Sequence, residues 1–146
     1  MTTTLTALPA THRDRLLSLA ADVRFPAAQR LFEEGAVADR FWILRTGTVT
    51  LDARLPHRRN AEIATLQPGD LVGLSWLFPP YAWELGAETL SPVRAHAFDA
   101  ARVREACTAD PAFGYAISQW VGGILAGRLQ ATRSRLLELY ESAVHA

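Results

Sequence analysis

Between Arg30 and Phe98 glycine, proline and polar turn residues cut the chain into short apolar runs, which leaves little room for a helix. The runs are Arg30–Phe32, Phe41–Leu44, Val49–Leu51, Ile63–Leu66, Leu85–Leu90 and Val93–Phe98. Gly35, Gly47, Pro56, Pro68-Gly69-Asp70 and Ser91-Pro92 stand between them. Short strands at regular spacing with such punctuation predict an all-β sandwich or barrel of roughly six to eight strands. Alternation is imperfect in Val93–Phe98, but that run also reads as a strand.

The flanks carry a different period. Leu5 to Val23 reads as a helix with Thr11 as a cap and Leu16, Leu17, Leu19 and Ala20 on its apolar side; Pro26 ends it. Asp99 is placed to cap a short helix that stops near Cys107. Asp110-Pro111 then starts a long one, with Pro111 at the first helical position. Its apolar residues, from Phe113 and Ile117 through Trp120 and Ile124 to Leu136 and Tyr140, recur every three or four positions and predict one broad buried face. The expected architecture is mainly β with flanking helices: a jelly-roll-like β-roll, or double-stranded β-helix, with an N-terminal helix and a long C-terminal helix. A single domain over 1–146 divides into an N-terminal helical part (1–25), the roll (26–98) and the C-terminal helices (99–146).

Composition narrows the function classes. The 15 basic residues, all arginine, balance 15 acidic ones, so no electrostatic footprint for nucleic acid is present. Arg58-Arg59 beside His57 reads as a solvated hairpin tip. No window of about 18 residues is free of charge, which argues against a transmembrane helix. Met1 to Ala10 carries no basic stretch, which argues against a secretory signal and leaves the cytoplasm as the expected location. The lone Cys107 can form no internal disulfide. The four histidines, His12, His57, His96 and His145, stand at no metal-ligand spacing, and no metal site is expected. No nucleophile-base order, phosphate loop or paired carboxylate marks an enzyme.

Several motifs carry a resemblance. Leu31-Phe32-Glu33-Glu34-Gly35, the small-residue turn after it, Phe41-Trp42-Ile43-Leu44 and Gly47 resemble the opening of the cyclic-nucleotide-binding domain family. Gln67-Pro68-Gly69-Asp70-Leu71-Val72-Gly73 is similar to that family's turn into its phosphate-binding cassette, and the Asp110-Pro111 start of a final helix also fits. The resemblance covers nearly the whole chain and implies a bacterial sensor domain of catabolite-activator type.

In that family the cassette holds the ligand. A glutamate after the glycine accepts from the ribose hydroxyl, and an arginine followed by a small residue pairs with the cyclic phosphate. Aligned without gaps, Leu74 occupies the glutamate position, Trp83 the arginine position and Glu84 that of the small residue, and no arginine lies between Arg59 and Arg94. Both polar contacts are thus expected to be lost, with a carboxylate added. The ligand-pocket candidates are Gly73, Leu74, Ser75, Trp76, Tyr81, Trp83, Glu84 and Leu85. Either the aromatics Trp76, Phe78, Tyr81 and Trp83 plug the vestigial pocket, or they line a site for a flatter or less anionic ligand, or they form an exposed patch that docks a partner. Cyclic nucleotide binding in an altered geometry stays open, because Gly73 and Ser75 keep their backbone N–H groups. No other cofactor is implied.

In transcription-factor relatives the long helix pairs two subunits and leads into a helix-turn-helix domain. This sequence stops at Ala146, so direct DNA binding of that type is not expected. Trp120, Gly123, Ile124, Gly127, Leu129, Thr132 and Leu136 are the candidates for a dimer or partner surface, with Arg128, Arg133 and Arg135 flanking as solvated charges. Gly123 and Gly127, four apart, either let a second helix approach or make room for Trp120 and the roll's own aromatics. The expected function is a non-enzymatic regulatory domain with a small-molecule ligand of unknown identity, signalling through its C-terminal helix to a second subunit or partner. The alternative is a ligand-free interaction protein.

Overall fold

The structure, a computed structural model, describes residues 5–57 and 60–145; the Arg58-Arg59 cluster lies outside them. A 3-10 turn at Leu5–Ala7 leads into α1 (Ala10–Leu17). Eight strands follow among the described residues: β1 (Ala21–Phe25), β2 (Arg30–Phe32), β3 (Arg40–Thr46), β4 (Val49–Ala53), β5 (Ala61–Leu66), β6 (Leu71–Val72), β7 (Gly86–Thr89) and β8 (Val93–Asp99). α2 (Ala100–Ala109) and α3 (Pro111–His145) complete the chain.

The strands form two antiparallel four-stranded sheets, ordered β1-β8-β3-β6 and β2-β7-β4-β5. This is the two-sheet β-sandwich expected from the turn spacing, in the jelly-roll form expected for the chain as a whole. Gly47 shows why a glycine is needed between β3 and β4: its φ is +89°, and a β-carbon there would run into the Pro92 carbonyl.

Two N-terminal expectations are corrected. The first helix stops at Leu17, and Ala21–Phe25 is a strand paired with β8, so the roll begins at Ala21 rather than at 26. The reason is tertiary: Val23 and Phe25 alternate with Asp22 and Arg24 and pack against the core between the sheets. Thr11 does not cap α1. The cap position is Pro9, which supplies no side-chain acceptor.

The C-terminal caps stand as expected. The Asp99 carboxylate accepts from the Arg102 N–H at 3.3 Å, and that of Asp110 from the Phe113 N–H at 3.4 Å. Both satisfy donors that a helix start leaves free.

Two apolar clusters hold the fold. Trp42, Leu44, Val49, Leu51, Val72 and Val93 fill the space between the sheets. The outer face of the first sheet carries Phe41, Ile43 and Phe98, which pack against Leu16 of α1, Val103 of α2 and the first turns of α3. Phe113, Ile117, Trp120, Val121 and Ile124 of α3 are buried there. Beyond Ile124 no residue of the helix is fully buried, and its last contacts with the roll are made around Arg128 and Thr132. Leu129, Leu136 and Tyr140 are 70%, 65% and 68% exposed, so the single buried face expected along the whole helix exists only in its first half.

Candidate functional site

The cassette starts at a turn tied to β3. The Asp70 carboxylate accepts from the Gln67 N–H at 2.8 Å, Gly69 N–H donates to the Leu44 carbonyl at 2.7 Å, and Leu44 N–H to the Asp70 carbonyl at 3.0 Å. After β6 the chain turns at Gly73 (φ +102°) into a three-residue 3-10 turn, Ser75–Leu77. It then returns to β7 through Tyr81, Ala82 and Trp83.

Trp83 occupies the position where the family resemblance places an arginine, and its backbone is held on both sides. Its N–H donates to the Ala36 carbonyl at 2.9 Å, and its carbonyl accepts from Gly35 N–H at 2.8 Å. The indole is buried. It stacks on Phe32 with ring centroids 3.8 Å apart and planes 12° from parallel. Phe32 stacks in turn on Trp42, at 5.9 Å. A β-carbon on Gly73 would sit 2.6 Å from the Trp83 ring, so glycine is what lets the indole approach the cassette backbone this closely.

One cavity of about 280 Å³ adjoins this stack. Gly73, Leu74, Ser75, Trp83, Glu84 and Leu85 line it, together with Phe32, Leu51 and the α3 residues Leu125, Arg128, Leu129 and Thr132. Six of the eight expected pocket residues therefore meet in one place, and Glu84 stands exposed at the mouth.

Trp76 and Tyr81 do not join them. Trp76 is fully buried in the cluster under the helices, stacked on Phe41 at 3.9 Å, and its indole N–H donates to the Gly73 carbonyl at 3.0 Å. Tyr81 faces α2, with the Arg104 guanidinium 4.2 Å from its ring centroid, and lines a separate open groove. Arg104 also donates to the Trp76 carbonyl at 2.7 Å and so ties α2 to the cassette.

On α3, Trp120 and Ile124 are buried against the chain's own roll and present no surface to a partner. Gly123, Leu129, Thr132 and Leu136 are exposed, and Gly127 is half-buried. A β-carbon on Gly122 or Gly123 would meet nothing within 4 Å, so these two glycines do not make room for the roll's aromatics.

Arg128 overturns an expectation. It is not a solvated flanking charge but half-buried at the cavity wall, where its Nη2 donates to the Leu71 carbonyl. Burial pushes its guanidinium below the ordinary arginine range, and the Asp70 charge partly opposes that shift. Sequence reasoning sought an arginine inside the cassette and missed one brought by α3. The one available signal was an arginine within the Leu125–Leu129–Thr132 stripe. Phe32 and Leu51 were missed because each sits in an ordinary strand run.

The two sheets, the short cassette and the wall of α3 define a jelly-roll domain with a helix-walled cavity. The comparisons name the family. The model of the cyclic nucleotide-binding domain matches residues 22–110. Over 117 residues, 80% of this chain, the sequence is 31% identical to a CRP-like cAMP-activated global transcriptional regulator of Mycobacterium tuberculosis. The chain belongs to the cyclic nucleotide-binding domain family and is of CRP-like type. It spans half the length of the curated relatives it matches. A cyclic nucleotide-binding domain from Methylobacillus flagellatus KT superposes with a TM-score of 0.81 at 16% identity, covering 92% of this chain and 79% of that one. The c-di-GMP responsive global regulator CLP of Xanthomonas campestris gives 0.78 at 20%, covering 90% and 64%. These two likenesses establish the fold. No helix among the described residues is long and apolar enough to cross a membrane.

Proposed function

We propose that this chain is a non-enzymatic, cytoplasmic regulatory domain that does not hold cyclic AMP through the family's ribose and phosphate contacts. It passes the state of its cavity along α3 to a second copy of itself. The observation that carries the first part is the Trp83 stack. The indole stacks on Phe32 beside Gly73, at the sequence position where the family resemblance puts the phosphate-binding arginine, and Leu74 offers no acceptor for a ribose hydroxyl. A charge-assisted hydrogen bond is worth roughly 1.5–3 kcal/mol, so losing the phosphate contact weakens binding by one to two orders of magnitude. Glu84 at the mouth adds a like charge.

The second part is supported by α3 itself. Four of its residues wall the cavity, and the same helix then extends past the roll with an exposed apolar surface. A ligand that prefers one placement of this helix shifts the population of that placement, which is all that signalling requires. That a structural neighbour is a c-di-GMP responsive regulator is consistent with one roll serving more than one ligand.

Titration calorimetry of the full chain with cyclic AMP and cyclic GMP tests this reading. The expected result is no binding at micromolar concentration of either nucleotide. Micromolar affinity for one of them overturns it.

A further inference from the structure

We propose that the cavity beneath α3 binds a small organic monoanion, a carboxylate on an apolar body, with Arg128 as its charge partner. This rests on the reading above, in which the cassette no longer serves a cyclic phosphate.

Among the described residues Arg128 makes no ion pair, and the only carboxylate whose charge acts on it is that of Asp70. Its side chain is half-buried in the cavity wall, and among the described residues its guanidinium donates to the Leu71 carbonyl alone. The Asp70 carboxylate is already engaged by the Gln67 N–H. A guanidinium carries five N–H donors, so most of its donor capacity is unspent. A charge taken out of water without a partner is costly, and an anion in the cavity removes that cost.

The rest of the cavity defines the anion. Phe32, Trp83, Leu125 and Leu129 make the lining largely apolar. About 280 Å³ lies at the low end of the roughly 300–1,000 Å³ usual for small-molecule sites, so the body is small. Glu84, exposed on the cavity lining, forms no ion pair among the described residues and repels a second negative charge. That favours a monocarboxylate over a phosphate dianion. A planar carboxylate also matches the guanidinium fork.

The test uses the full chain and three aromatic monocarboxylates: benzoate, phenylacetate and indole-3-acetate. Their neutral amides and inorganic phosphate serve as controls, read by titration calorimetry and thermal shift. At least one carboxylate should bind about tenfold tighter than its amide, the scale of one charge-assisted contact, and phosphate should bind more weakly still. Arg128→Met keeps the apolar stem and should erase the preference for acid over amide; Arg128→Lys should retain part of it. If Arg128→Met does not fold, the wild-type comparison of acid and amide decides alone. Equal affinity for acid and amide overturns the proposal. So does absence of binding by all three acids at about 10 mM, far weaker than a site-specific contact. An Arg128→Met variant that loses stability yet keeps the preference shows a strut to Leu71 and also overturns it. Micromolar cyclic AMP binding in the same series is a separate failure, that of the cassette reading.

Discussion

The Trp83 ring occupies the space that a β-carbon on Gly73 would need, with 2.6 Å between the two. A turn glycine and a cassette tryptophan thus form one unit, which Phe32 completes by stacking on the indole at 3.8 Å. Gly73→Ala should therefore act twice, through a positive φ that disfavours any β-carbon and through displacement of the indole. The expected loss is about 1–3 kcal/mol of stability, with a shift in tryptophan emission toward that of an exposed indole. Trp83→Ala should cost about 3–5 kcal/mol, as for other large-to-small changes in a core. Urea denaturation followed by fluorescence and far-UV circular dichroism measures both. An unchanged midpoint in Gly73→Ala would mean that the ring does not lie on the glycine.

The distal half of α3 makes a prediction about assembly. Pro111–His145 is about 52 Å long at 1.5 Å per residue, and it meets the roll only as far as Thr132. Leu129, Leu136 and Tyr140 stay largely exposed, an arrangement that a second α3 would cover. The chain should run as a dimer in light scattering behind size exclusion. Leu136→Glu should shift it to monomer while leaving the thermal midpoint of the roll within a few degrees, because Leu136 touches nothing in the roll core. A wild-type monomer at about 100 μM would rule out pairing of any useful strength.

His96 gives a pH dependence with a definite sign. It lies on β8 across from Asp22 and Ile43. Partial burial, aided by the Arg45 charge, holds its pKa below the ordinary histidine value, against the opposing pull of Asp22. The folded protein therefore binds fewer protons at this site than the unfolded chain does. The site's contribution to stability is complete above the unfolded value of about 6.5 and declines as the pH falls through it toward the folded value. His96→Gln should flatten the thermal midpoint between about pH 6.5 and 5 relative to wild type. If the two profiles run parallel across that window, His96 is not the titrating group.

Legibility differed by element. The turn glycines and prolines announced the roll, and Asp99 and Asp110-Pro111 announced both C-terminal helices, because caps and turns are decided by neighbours in sequence. β1 was misread as helix. Its five residues carry too weak a period to outweigh the helical pattern ahead of them, and only pairing with β8 makes Ala21–Phe25 a strand. The cavity was legible where it follows the cassette and illegible where α3 closes it.

The sequence by itself determined the family resemblance, the turn framework and the residues, Leu74, Trp83 and Glu84, that an ungapped reading sets against the family's polar cassette positions. Those follow from residue order and spacing, which the chain carries before it folds. The tertiary structure alone decided what became of them. Trp83 turned inward onto Phe32 and Gly73, Trp76 went to the helix-facing core, and Tyr81 went to α2. Arg128, 45 positions after Trp83 in sequence, came to the same cavity. The physical reason is that a helix wall is placed by the burial of Phe113, Ile117 and Ile124 against the roll, and that packing sets which later side chains reach the cavity.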